Sequence, residues 1–151
     1  MLSGDRILVS SGYGVGAALL KISESAGRWS VESLWDKKTL RCRFTSPVER
    51  LGFVYGLDEG ILVCLDAATG ERKWHEGRYG HGQLLLADDL LVILSETGKL
   101  ALVEATPEGY HELGRIDALE GKTWNCFALA DGKAYLRNSQ EMACYDLALP
   151  K

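Results

Sequence analysis

The sequence predicts an all-β chain built from repeated antiparallel, mostly four-stranded sheets. Three observations carry that reading. Short apolar runs alternate with turn residues from one end to the other. Glycine is frequent, with 17 residues at punctuating positions, while proline is scarce, with 3. The same strand–turn pattern also recurs about every 40 residues along the 151. No stretch sustains a helical period over the length a helix needs. Asp117–Thr123 has room for one short helical turn.

Taken in order, Arg6–Ser10 is a short apolar strand and Gly12–Gly16 a turn. Ala17–Ile22 is the second strand, Gly27 closes a turn, and Trp29–Trp35 alternates as a third. The second unit begins near Leu40–Thr45, passes Pro47, and reads as irregular over Val48–Leu51. Gly52–Leu57 and Ile61–Leu65 are strands flanking the hairpin Asp58-Glu59-Gly60. Asp66–Gly70 turns the chain into Arg72–Glu76. In that turn, Gly70 can take positive φ, and Asp66 and Thr69 can hydrogen-bond the local backbone. Trp74, on the returning strand, can lay its ring across a neighbour. The third unit gives strands at Gln83–Ala87, Leu90–Ser95, Leu100–Ala105 and Tyr110–Ile116. The fourth gives Asn125–Leu129, Lys133–Arg137 and Met142–Leu147, then the tail Ala148–Lys151.

The repeat is set by the residue ending each third strand: Ser23, Asp66, Glu104 and Asp146, spaced 43, 38 and 42 residues apart. A second marker runs through Leu8, Val54, Val92 and Tyr135. Four strands in such a period is the spacing of β-propeller blades. An antiparallel sandwich without a true repeat is the alternative. The fold expected is therefore a β-propeller fragment of about three to four blades, with units near 5–36, 40–78, 82–117 and 124–148. Three, four, four and three strands make an open arc. Open arcs leave sheet edges and apolar blade faces uncovered. The chain is thus expected to be the C-terminal portion of a longer propeller, or to self-associate through its open edges.

The stretch Cys64-x-Asp66-Ala67-Ala68-Thr69-Gly70-x-x-x-Trp74 resembles the tryptophan-docking signature of the quinoprotein-type, or PQQ-like, propeller repeats. Ser46–Trp74 is similar to a complete unit of that family, which usually has Ala where Cys64 stands. The resemblance implies that Asp66, Thr69, Gly70 and Trp74 form the structural blade motif, with the Trp ring docked between blades. It also implies a bacterial, periplasmic or otherwise extracytoplasmic setting. The family includes quinone-dependent dehydrogenases, which use adjacent cysteines, a stacking Trp and a calcium held by Glu, Asn and Asp. It includes non-enzymatic propellers too, such as the lipoprotein of the outer-membrane assembly machine. This sequence has no adjacent cysteines, so the resemblance points to the non-enzymatic branch with no cofactor.

Composition narrows the remaining classes. A net charge of −4 and a pI near 5.4 argue against nucleic acid or an anionic membrane surface as partner. No run approaches the roughly 20 apolar residues of a membrane helix. Cys42, Cys64, Cys126 and Cys144 form no CxxC pair, and Cys64 and Cys144 read as buried thiols. His75, His81 and His111 lack metal-ligand spacing. Gly12-x-Gly14-x-Gly16 lacks the strand–turn–helix context of a phosphate loop. Acids at 58, 59, 88, 89, 96 and 104 read as solvated hairpins rather than calcium ligands. Arg78, Tyr79 and His81 are the candidates for a binding rim. The function expected is a non-catalytic scaffold for protein–protein interaction or assembly, with a protein partner or the rest of its own propeller. A fragment of a quinone-dependent dehydrogenase and a solute- or polysaccharide-binding propeller are the alternatives.

Overall fold

The computed structural model describes residues 4–147. Fourteen strands and no helix occur among them: β1 (Arg6–Ser11), β2 (Gly16–Ser25), β3 (Arg28–Lys37), β4 (Val48–Arg50), β5 (Phe53–Asp58), β6 (Ile61–Asp66), β7 (Arg72–Arg78), β8 (Gln83–Ala87), β9 (Leu90–Leu94), β10 (Lys99–Glu104), β11 (Glu112–Asp117), β12 (Ala128–Ala130), β13 (Lys133–Arg137) and β14 (Met142–Asp146). They form four antiparallel meanders: β1–β3, β4–β7, β8–β11 and β12–β14. The arrangement is a partial β-propeller of four blades.

The blades pack face to face, so the second and third bury apolar side chains on both faces and the first and fourth on one. Three clusters fill the three seams. Leu19, Trp35, Val54, Val63 and Leu65 join the first blade to the second. Tyr55, Leu62, Cys64, Trp74, Leu91, Ile93, Ala101 and Val103 join the second to the third. Val92, Leu94, Leu100, Ala134 and Leu136 join the third to the fourth. The continuous apolar runs ILVCL and LALV follow directly: β6 and β10 are covered on both faces. β14 alternates half-buried with exposed, because only one of its faces meets another blade.

The hairpin between β5 and β6 shows how turn chemistry sets register. Asp58 pairs with Ile61, leaving Glu59 and Gly60 as a two-residue turn with φ of 48° and 89°.

The ladders correct several expectations. Val48–Arg50 is a strand, the innermost of the second blade, whereas no strand forms over Leu40–Thr45. Pro47 has no N–H for a ladder, so pairing starts after it. Asp117–Thr123 contains no helical turn; Asp117 ends β11. The repeat markers also shift. Leu8 pairs with Leu19, Tyr55 with Cys64, Val92 with Leu102, and Tyr135 with Cys144. The second-strand marker of the second blade is therefore Tyr55 rather than Val54. The third-strand marker of the first blade is Lys21, opposite Arg6, rather than Ser23. The β2–β3 hairpin runs on for four residue pairs past that rung, from Ile22–Val31 to Ser25–Arg28, and this displaces the sequence alignment.

Candidate functional site

The β6–β7 turn is built by Asp66. Its Oδ1 accepts hydrogen bonds from Ala68 N (2.9 Å), Thr69 N (3.0 Å) and Thr69 Oγ1 (3.2 Å). Thr69 Oγ1 in turn accepts from Glu71 N at 3.2 Å. Partial desolvation would raise the Asp66 carboxyl, but the bonds from Thr69 and Ala68 outweigh it and hold the carboxyl below its ordinary range. Gly70 sits at φ 66°, and a Cβ there would lie 2.9 Å from Cδ2 of Trp35. The glycine is thus required twice, by the backbone and by the ring pressed against it.

That ring was missed by the sequence reading, which assigned a packing role only to Trp74. Trp35 is buried and donates Nε1–H to Ala67 O of the next blade at 3.1 Å. Trp74 does the same one blade on, donating to Thr106 O at 2.8 Å. Its ring lies 5.9 Å from Tyr55 and 6.1 Å from Tyr110. Each tryptophan reaches from the last strand of its blade to the backbone that follows the neighbouring blade's third strand. The signal in the sequence was a Trp at the end of the first unit's last strand, twelve residues past the misplaced marker rather than eight.

A polar bracket ties the second blade to the third. Tyr79 and Tyr110 each donate a hydroxyl to Glu112 Oε2 at 2.6 Å, and the two hydroxyl oxygens lie 2.8 Å apart. Arg115 Nε donates to Glu112 Oε1 at 2.9 Å, and its guanidinium lies 5.0 Å from the Tyr79 ring centre. The Arg115 hydrogen bonds, helped by the tyrosine hydroxyls, bring the Glu112 carboxyl down to about 2. Burial and the adjacent carboxylate push the Tyr79 hydroxyl far up.

The three rim candidates part company. Tyr79 is only 2% exposed and belongs to this bracket, not to a rim. Arg78 ends β7 with its side chain exposed. His81 is half-buried in the loop leading into β8, where its ring meets Phe44 edge-on at 5.9 Å. Phe44 in turn lies 5.3 Å from Trp124 with the rings tilted by 39°, and Lys122 caps Trp124 at 4.2 Å. Glu96 accepts from Trp124 Nε1 (2.9 Å) and His81 N (3.1 Å). Gln83 Nε2 donates to both Phe44 O and Trp124 O at 3.0 Å. The loops before β4, β8 and β12 thus meet in an aromatic cluster whose Phe44 and Trp124 remain 47% and 43% exposed.

Asp58 is buried rather than solvated in its hairpin. It accepts from Arg41 N (2.9 Å) and Arg41 Nε (2.7 Å), and His75 Nε2 lies 3.7 Å away. Burial alone would raise the carboxyl; the Arg41 bonds outweigh it and hold it low. Among the described residues no three His, Cys, Asp or Glu side chains gather as a metal site. All four cysteines are free thiols. Cys42 and Cys64 are buried, with burial pushing Cys64 up to about 11. Cys144 is exposed, contrary to expectation, since among the described residues its face of β14 meets no further blade. A groove of about 350 Å³ runs beside β1, between Leu8–Ser10 and Thr45–Glu49. The Thr45 hydroxyl lines it, buried and without a hydrogen-bond partner among the described residues.

No family model and no curated protein sequence matches the chain. Solved structures do. The chain is similar to the computationally designed Ika8 protein (TM-score 0.75, 12% identity), covering 97% of this chain and 44% of that one. The designed Ika4 protein is similar at TM-score 0.71 and 12% identity, with coverage of 97% and 88%. BamB from Moraxella catarrhalis matches at TM-score 0.66 and 18% identity, over 97% and 44%. A europium-containing methanol dehydrogenase matches at TM-score 0.62 and 12% identity, over 89% and 33%. The chain thus spans less than half the length of Ika8 and BamB. At these identities the likeness shows the fold, a partial β-propeller.

Proposed function

We propose that the chain is a non-catalytic propeller scaffold that holds a protein partner or the remainder of a propeller ring. The observation that supports it is how the chemically capable side chains are spent. Trp35, Trp74, Tyr79, Glu112, Gln83 and Asp58 each bind backbone or side chains of a neighbouring blade or linker. Such groups hold blades in register. Fold alone does not decide between assembly and catalysis, since the propeller neighbours include both BamB and a dehydrogenase. The deciding experiment is equilibrium dialysis of the chain against pyrroloquinoline quinone with calcium, followed by a dye-linked alcohol oxidation assay. The scaffold reading expects no retained quinone and no turnover; saturable quinone binding with dye reduction overturns it.

The exposed Phe44–Trp124 pair supports a second reading, a solute-binding face near the loops that lead into the inner strands. Exposed rings beside Lys122 and Glu96 suit a sugar, which stacks on aromatics and hydrogen-bonds charged groups. Saturable quenching of tryptophan fluorescence by an oligosaccharide, abolished in Trp124→Ala, would favour it.

A further inference from the structure

We propose that a second copy of this chain covers the two exposed end faces, so that two four-bladed arcs close into one ring. The inference rests on the scaffold reading and names what the scaffold's ends hold.

The internal repeat supplies the template. At the seam between the second and third blades, Tyr55 and Cys64 are cross-strand partners and 0% exposed. One rung on, Leu57 and Leu62 are partners in the same cluster. The third blade covers them with Leu91, Ile93, Ala101 and Val103, where Leu91 pairs with Val103 and Ile93 with Ala101.

The outward face of the fourth blade repeats the first half of this seam. Tyr135 pairs with Cys144, the same two residue types on the same rung, and Met142 stands where Leu62 does. Arg137, in place of Leu57, is the exception. Here the same positions are open: Tyr135 is 46% and Met142 81% exposed. Large apolar side chains at rungs that are fully buried two repeats earlier mark a surface shaped to be covered.

The outward face of the first blade repeats the other half. Ile7 pairs with Leu20 and Val9 with Ala18, matching Leu91 with Val103 and Ile93 with Ala101 rung for rung. All four are apolar, and Val9 is 48% exposed. The fourth blade therefore carries the leading half of a blade seam and the first blade the trailing half. One copy presents both, so two copies related by a two-fold along the ring axis make the seam twice and close.

The test is light scattering of the 151-residue chain over a range of concentrations, with Leu20→Asp and Tyr135→Asp as variants. The expected result is a species of twice the 16.6 kDa chain mass. Each variant should raise its dissociation constant on the order of 100-fold by placing an unpaired charge in an apolar seam. Both residues lie outside the arc's three internal seams, so circular dichroism of the dissociated variants should show the same β fold. In a Cys126→Ser background, Leu20→Cys and Cys144 should cross-link with a short bismaleimide into a covalent dimer and nothing larger. A strictly monomeric chain overturns the proposal and assigns the faces to another polypeptide segment. A ladder of larger products overturns ring closure, and Cys144–Cys144 linkage without need of Leu20→Cys overturns the head-to-tail seam. None of these outcomes bears on quinone binding, which tests the scaffold reading separately.

Discussion

Trp74→Ala is the perturbation that most directly weighs the seam. The side chain is 7% exposed, packs between Tyr55 and Tyr110, and gives its one polar hydrogen to Thr106 O. Truncation of a buried aromatic of this size costs about 3–5 kcal/mol, from lost burial and from the cavity left behind. Folded domains hold only about 5–15 kcal/mol in all, so the loss is a large share. With a urea dependence of about 2 kcal/mol per molar, the unfolding midpoint should fall by roughly 2 M. Far-UV circular dichroism is the readout, since removing a tryptophan alters the fluorescence itself. Protein concentration must stay fixed, because self-association adds to apparent stability. Trp74→Phe keeps an aromatic ring in place and removes the donor, and should cost about 1–2 kcal/mol. Leu113→Ala, at a 57% exposed position, should stay within about 0.5 kcal/mol. A loss below about 1 kcal/mol for Trp74→Ala would refute the idea that this ring holds two blades together.

Gly70→Ala should destabilise more than Gly27→Ala, although both sit at positive φ (66° and 76°), because only Gly70 has the Trp35 ring against it. The backbone term common to both is about 1–2 kcal/mol, and the excess, about 1–3 kcal/mol, reads the clash in a urea titration. Asp66→Ala should cost about 1–2 kcal/mol by freeing the N–H groups of Ala68 and Thr69, and Asp66→Asn should restore most of it. The Glu112 carboxyl falls from its ordinary 4.5 to about 2 in the folded chain. Its contribution is therefore fully present above pH 4.5 and is lost as pH falls through about 2. Glu112→Gln should flatten that part of the acid unfolding curve, and an unchanged acid limb would count against the bracket.

The repeat was legible because a blade needs the same residue types at the same rungs. Apolar runs of five residues at β6 and four at β10 announce strands covered on both faces, and glycine with acidic residues announces the hairpins. Register was less legible. Pairing tolerates a slip of one or two residues at the level of hydrophobic pattern, while the ladder does not. Val54 and Tyr55 are both buried, so composition could not say which of them faces the following blade. The β2–β3 hairpin adds residues beyond the blade, so the sequence spacing points to Ser23 for the rung that Lys21 occupies. That slip also hid Trp35, whose partner Ala67 O is 32 residues away and follows a turn in another blade. The bracket of Tyr79, Tyr110 and Glu112 was hidden for the same reason: its members are 31 and 33 residues from Tyr79 and meet only when blades stack.

Cys64 and Cys144 show why burial cannot be assigned to a strand by itself. Both lie in third strands, both face a tyrosine across the ladder, and both precede an aspartate by two residues. One is fully buried and one exposed. The local sequence is equivalent, so the difference belongs to the neighbour: a third blade stands over Cys64, and no blade among the described residues stands over Cys144. An exposed site carrying a seam's residues differs from an ordinary exposed site, where water contact sets no such requirement on residue type. That distinction has a measurable consequence. If the face is a seam, alkylation of Cys144 should slow as the chain's concentration rises, while Cys126 keeps a constant rate. If the face is ordinary surface, both thiols should react at rates independent of concentration.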